Sequence, residues 1–163
     1  MGHQSVLERE VRDIIKNNRW LTLSTTSPKG APQSSVVVYA SDGNIIYILT
    51  GKNTQKTRNI SSNQRVAVTI PFYKNLLHKL IGVAPPASIS FKATAEILNI
   101  GDREAYGMYT RVLNIDMPEN YEADSVWLRL TLERVVTCYG VGVSLPELRD
   151  PLKAYKIIRL SKE

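Results

Sequence analysis

Hydrophobic positions change period several times along the chain, and each change marks an element. Leu7, Val11, Ile14 and Ile15 recur at helical spacing behind Ser5 and Glu8, a pairing that suits a capping box. They predict a short amphipathic helix from about Ser5 to Lys16, which Asn17 and Asn18 end. From Trp20 the period becomes two: Leu21, Leu23 and Thr25 alternate with Thr22, Ser24 and Thr26, as in a half-buried strand. Ser27-Pro28-Lys29-Gly30 supplies turn chemistry, and a second strand runs from Gln33 to Tyr39. Asp42-Gly43 is a favoured hairpin dipeptide, and a third strand follows from Ile45 to Thr50. The expectation is an antiparallel three-stranded meander.

Gly51 to Ser62 is polar, with Asn53 or Thr54 placed to cap a short helix carrying Lys56, Arg58 and Ile60. A fourth strand, Arg65 to Ile70, is expected to stop at Pro71. The stretch from 72 to 86 reads as a helical insert, its stripe of Tyr73, Leu76, Leu77, Leu80 and Ile81 suited to docking on a barrel. A strand over Ser88 to Leu98 precedes a helix capped by Asp102. Two further strands, Val126 to Leu132 and Val135 to Val141, flank Glu133-Arg134, and a tail begins at Leu145. About six strands with short connections and peripheral helices predict a mainly β antiparallel barrel, with a sandwich as the alternative. The 163 residues suit a single domain over 1–163.

Composition narrows the chemistry. Cys138 is the only cysteine and His3 and His78 the only histidines, so an intrachain disulfide is impossible and a zinc site has little to work with. His78, between Lys74 and Lys79, reads as a solvated surface residue. No apolar run reaches the roughly 20 residues of a membrane span, and the N-terminal residues lack signal-peptide character, so the cytoplasm is the default compartment. The formal charge of +6 is spread out and lacks the aromatic interleaving of single-strand nucleic-acid binders. Phosphate-loop, metalloprotease and nucleophile-elbow motifs are missing, and Gly140-Val141-Gly142 is a turn signal.

One constellation remains. Thr50, Lys52, Thr54, Gln55 and Lys56 surround a strand-to-helix passage, where unpaired helical N–H groups and the positive dipole end suit a phosphate. The same residues also suit a solvated helix cap.

The segment from Trp20 to Ile70 resembles the FMN-binding split-barrel superfamily that includes pyridoxamine 5′-phosphate oxidase. The matching text is Leu21-Thr22-Leu23-Ser24-Thr25, Gly30-Ala31-Pro32, Val36-Val37-Val38, Asp42-Gly43, Ile46-Tyr47-Ile48-Leu49-Thr50, Thr54-Gln55-Lys56, Asn59-Ile60 and Arg65-Val66-Ala67-Val68. A further match lies at Ala95-Glu96-Ile97-Leu98. The resemblance implies a six-stranded split barrel that pairs as a homodimer with the cofactor at the subunit interface. It implies FMN, with the deazaflavin F420 as the alternative cofactor. Its phosphate would lie on Thr50, Thr54, Gln55 and Lys56, and its ring along the strand of Ser34, Ser35, Val36, Val37 and Val38. Ser88 is expected to approach the phosphate, Lys52 the ring, and Trp127 either to pack on the ring from the partner chain or to serve as a core aromatic.

Departures limit the analogy. Strong FMN binders often carry arginine where this chain has Ser34 and Ser35, and Arg159-Leu160-Ser161-Lys162-Glu163 lacks the oxidase's substrate-gripping segment. Pyridoxamine phosphate is therefore not assigned as substrate. The implied function is a flavin-dependent oxidoreductase acting on a small molecule. The alternatives are an F420-dependent reductase or a flavin-binding redox sensor without turnover. No general acid or base stands out; Tyr39, Tyr73, Tyr106 and Tyr109 are the candidates.

Overall fold

The computed structural model describes residues 3–75, 79–80, 86–115 and 123–161. Its centre is an eight-stranded antiparallel sheet. In chain order the elements are α1 (His3–Asn17), β1 (Trp20–Thr26), β2 (Pro32–Val38), β3 (Ala40–Ser41), β4 (Ile45–Gly51), α2 (Gln55–Ser62) and β5 (Arg65–Phe72). Then come β6 (Ala87–Leu98), α3 (Arg103–Leu113), β7 (Ser125–Tyr139), a 3-10 turn (Pro146–Arg149), α4 (Pro151–Ala154) and β8 (Tyr155–Arg159). The strands lie in the order β2-β1-β5-β6-β7-β4-β3, with β8 on β7.

That order forces the sheet to curl. β2 and β3 stand at opposite ends of the path, yet only Tyr39 separates them in sequence. Two peptide units reach at most about 7 Å, so the two sheet edges must meet there. The result is a curled, split barrel closed at one point by the covalent chain rather than by a ladder. Tyr39 is fully buried at the seam and donates its hydroxyl to the Ile15 carbonyl at 2.8 Å, fastening α1 across the closure.

The expected meander is corrected accordingly. β1 and β2 form the hairpin that Gly30 turns at φ 82°, but β4 pairs with β7 and the short β3, not with β2. Asp42 explains the second turn: its Oδ1 accepts from the N–H groups of Asn44 and Ile45, folding the chain back onto β3 alone. Pro71 does not end its strand. It pairs with Ser88, and because β1 meets β5 only at Ala67 to Thr69, a missing N–H on that side costs nothing. The two strands expected around Glu133-Arg134 are one. Register passes from Phe91–Val136 to Ala93–Leu132, so Glu133, Arg134 and Val135 bulge against Lys92 without breaking β7. The tail contributes β8, whose one buried residue, Ile158, gave the alternation little contrast. Eight strands replace the expected six.

The first helix begins earlier than expected. The helix already runs through Ser5, and Glu8 instead accepts from the backbone N–H and hydroxyl of Ser161 at 2.8 and 2.6 Å. Those hydrogen bonds hold the Glu8 carboxyl below the usual carboxylate range. In the insert, Leu76, Leu77, His78 and Ile81 lie outside the described residues, while Tyr73 and Leu80 are exposed.

Leu21, Leu23, Ile46, Ile48, Val68, Ile70, Ile89, Leu128 and Leu130 fill the barrel, as period-two alternation demands. A smaller cluster of Ala40, Tyr47, Ala105, Tyr109 and Trp127 seats α3 on the outside of β4 and β7. No helix among the described residues is long and apolar enough to cross a membrane. Cys138 is completely buried on β7, and burial pushes its thiol up to about 12. At pH 8 the native protein is therefore expected to resist thiol reagents, with Cys138 reacting only at the rate of unfolding. Rapid stoichiometric labelling of folded protein would contradict this placement.

Candidate functional site

The strand-to-helix passage is built by a relay of hydroxyl groups. Thr54 is the N-cap of α2, its Oγ1 accepting from the Thr57 N–H. The hydroxyls of Thr54 and Thr57 lie 2.8 Å apart, and Thr57 donates onward to the Gly51 carbonyl at 2.9 Å. With the Thr57 proton committed to Gly51, the Thr54 proton must go to Thr57. In this structure Thr54 is thus engaged in the helix cap. Gln55 is likewise engaged. Its Nε2 donates to Asn59 Oδ1 at 2.9 Å, and its Oε1 accepts from Arg58 at 2.8 Å. Arg58 also donates to the Asn53 carbonyl at 2.6 Å, bracing the loop.

What remains available is a compact donor set. The N–H groups of Gln55 and Lys56 open the helix and have no intrahelical acceptor, whereas those of Thr57 and Arg58 are held by Thr54. The Lys56 side chain is half-buried and forms no ion pair among the described residues; burial holds its ammonium below the ordinary lysine range. An amine in that condition gains from an anion beside it. Lys52 is exposed on the preceding loop, its own N–H bound to the Asp124 carbonyl at 2.7 Å. Thr50 is buried at the end of β4, opposite Val126.

Asn59 aligns this donor set with the sheet. It is fully buried, and its Nδ2 donates to Thr25 Oγ1 on β1 at 2.9 Å and approaches Gln33 Oε1 on β2 at 3.5 Å. Sequence reasoning did not assign Thr57 or Asn59 to the site. Their signal was there: Thr25 falls on an inward position of β1, where a lone hydroxyl needs a buried partner.

β2 starts at that contact and runs away from it. Because it pairs only with β1, the outer edge of Ser34, Ser35, Val36, Val37 and Val38 carries no ladder. Ser34 shares a 2.7 Å hydrogen bond with Ser24, and Val36 is 69% exposed. The open edge and the donor set are therefore continuous through Asn59 and Gln33.

Two other expected residues stand apart. Trp127 is fully buried, donates its indole N–H to the Ile100 carbonyl at 2.9 Å and meets Tyr109 edge-on at 5.1 Å. Its faces are consumed by the α3 contact, so it is a core aromatic and not a ring platform. Ser88 pairs with Pro71 and Tyr139, whereas β6 reaches the end of α2 at Thr94 and Ala95. Leu49, at the β4 end that leads into α2, stands opposite Trp127 and so level with Leu98 of β6. Ten strand residues at ~3.3 Å put Ser88 about 33 Å along β6 from that level, apart from the donor set within one chain. Tyr39 and Tyr109 are also removed as acid–base candidates by burial. Among the described residues no group of three or more potential metal ligands clusters.

Residues 7–139 match the pyridoxamine 5′-phosphate oxidase family. No curated protein matches the chain at a significant level. Solved structures share the fold at low identity. An F420 reductase is 21% identical with a TM-score of 0.55, over 81% of this chain and 94% of its own. The heme storage protein HutZ of Vibrio cholerae is 17% identical with a TM-score of 0.61, over 83% and 96%. General Stress Protein 26 of Bacillus anthracis is 18% identical with a TM-score of 0.60, over 94% and 98%.

Replacing Asn59 by Ala is expected to cost about 1–3 kcal/mol, since Thr25 is left buried without its donor. Thr25→Val in that background should cost less than its effect alone, because the two share one bond. Urea denaturation of the four proteins measures this, and strictly additive losses would mean that the bond carries no coupling.

Proposed function

The chain belongs to the pyridoxamine 5′-phosphate oxidase family, and on that premise we propose that it is a flavin-binding oxidoreductase with FMN as its cofactor and a small molecule as its substrate. The observation that carries this reading is the half-buried, unpaired Lys56 ammonium beside the free N–H groups of Gln55 and Lys56. A phosphomonoester dianion is the group that satisfies all three, through charge-assisted hydrogen bonds in a partly desolvated site. Thr50 and Lys52 flank it. The open β2 edge then offers backbone donors and acceptors to the polar rim of a flavin, without requiring particular side chains. When bound, the flavin supplies the redox chemistry; the protein binds it, orients it and shields one side of it. The F420 reductase and the heme storage protein share this fold, so the choice of cofactor rests on the donor set and not on the architecture.

The functional unit in this reading is a homodimer. Trp20 and Val36 are 60% and 69% exposed. Pairing of Trp20 with Val38 and of Thr22 with Val36 places them on one outward face beside the β2 edge. A second copy would cover that apolar face and enclose the cofactor, and Ser88 could join the site only from that copy.

FMN should bind with quenched fluorescence and a 1:1 ratio per chain. Lys56→Ala is expected to weaken it at least tenfold, the loss of one charged hydrogen bond of about 1.5–3 kcal/mol. The pH dependence follows from the same amine. Only protonated Lys56 attracts the dianion, so affinity holds near neutrality. It falls as pH rises through the Lys56 pKa, which burial sets below the ordinary lysine value. Lys56→Ala should flatten that alkaline decline, and an unchanged pH profile would remove Lys56 from the site.

Val36→Asp should shift the assembly from about twice the chain mass of 18.3 kDa toward the monomer and weaken FMN with it. Sedimentation velocity decides this; a wild-type monomer would end the dimer reading. Anaerobic reduction of the bound flavin by NADH or NADPH, followed by reoxidation with a quinone, separates an enzyme from a sensor.

A further inference from the structure

We infer that Trp20 anchors the homodimer by seating in the hollow over Thr69 and Ser90 of a second copy, each protomer supplying one indole and one hollow. The contact deepens the dimer proposed above and rests on it. A knob and a hole share one face of the sheet. Trp20 is 60% exposed, and its indole N–H has no partner among the described residues. Tryptophan is among the side chains that most often carry the centre of an interface. Register sets the hole beside it. Thr22, two residues on from Trp20, stands opposite Thr69 of β5, which pairs with Ser90 of β6, which pairs with Thr137 of β7. With Ala67, these short side chains floor a hollow of about 510 Å³. Small-ligand pockets of roughly 300–1,000 Å³ are of that size, so one indole fits.

The walls of the hollow suit an indole on each count. Val135 is exposed there and offers an apolar side. Lys92 supplies a cation for the face of the ring, and the Glu133 carboxylate an acceptor for its N–H. Topology makes the exchange reciprocal. Sheets packed face to face keep their strands within about 30° of each other. Setting β1 of one copy over β6 of the other puts the two-fold axis along β5, the strand between them. β5 turns Ala67 and Thr69 outward there, small enough for two copies of the strand to approach. The same axis carries β2 over β7 of the second copy and points its open edge towards β8. The exposed Ile157 of that β8 then faces the edge on which the flavin is proposed to lie.

Sedimentation velocity and iodide quenching of tryptophan fluorescence test the contact. Neither needs flavin, so its failure is separable from failure of the cofactor assignment. The chain has two tryptophans and Trp127 is fully buried, so any quenched emission comes from Trp20. The wild-type dimer is expected to shield both indoles. Trp20→Ala and Ser90→Arg should each weaken the dimer at least about thirtyfold, the loss of one hot-spot contact, and iodide should then reach Trp20 in the Ser90→Arg protein. Both positions face outward, so the variants should fold, and circular dichroism verifies it. Mixing the two should restore one seat of the pair: the Trp20 of Ser90→Arg protein enters the intact hollow of Trp20→Ala protein. A heterodimer is therefore expected at concentrations where neither variant assembles alone. A dimer whose Trp20 stays open to iodide, a dimer indifferent to Ser90→Arg, or variants that fail to complement would overturn the contact and leave the dimer standing. A wild-type monomer would overturn both.

Discussion

The structure depends on a covalent constraint at Tyr39. One residue connects strands that occupy opposite ends of the sheet path, so the chain cannot satisfy its connectivity with an open sheet. Curling brings the inward rows of β1, β5, β6, β7 and β4 onto a common core, and the edges need no continuous ladder between them. The Tyr39 hydroxyl then draws α1 over the seam. Because β2 is held by β1 on one side alone, closure by the chain leaves its other edge open. The same constraint that shapes the barrel thus leaves a strand edge free for a ligand.

Polar groups inside the barrel end do the aligning. Thr54, Thr57 and Gly51 form a directional relay in which each hydroxyl proton has one destination. Asn59 extends the same logic to Thr25 and Gln33. The Asn59–Thr25 bond is buried and the others part-buried, so losing Asn59 strands Thr25 away from water. They fix the helix start relative to the sheet while keeping Gln55 and Lys56 N–H and the Lys56 ammonium uncommitted. Thr54 and Gln55, polar residues of the candidate passage, thus also hold the helix start in place.

That division bears on how function is assigned in this family. The fold is shared with proteins named for F420 reduction and heme storage, so architecture alone does not select a cofactor. In the proposed reading that choice falls to charge and geometry at the helix start, which suit a phosphorylated ligand.

By itself the sequence determined the elements whose signals are local. Alternation located β1, β4 and β6, Asp102 and Thr54 announced α3 and α2 as caps, and Gly30 and Gly43 marked turns that need positive φ. It also fixed the passage from Thr50 to Lys56 as the candidate site. Tertiary structure decided everything that depends on non-local partners. Strand order, the continuity of β7 through its bulge and the pairing of β8 depend on which strand lies alongside, and periodicity carries no such information. The same holds for the site: Thr54 and Gln55 look identical in sequence whether their polar atoms face a ligand or a neighbour. Only the positions of Thr57, Asn59 and Thr25 settle where those protons go, because a hydrogen bond is assigned by geometry in three dimensions and not by residue type.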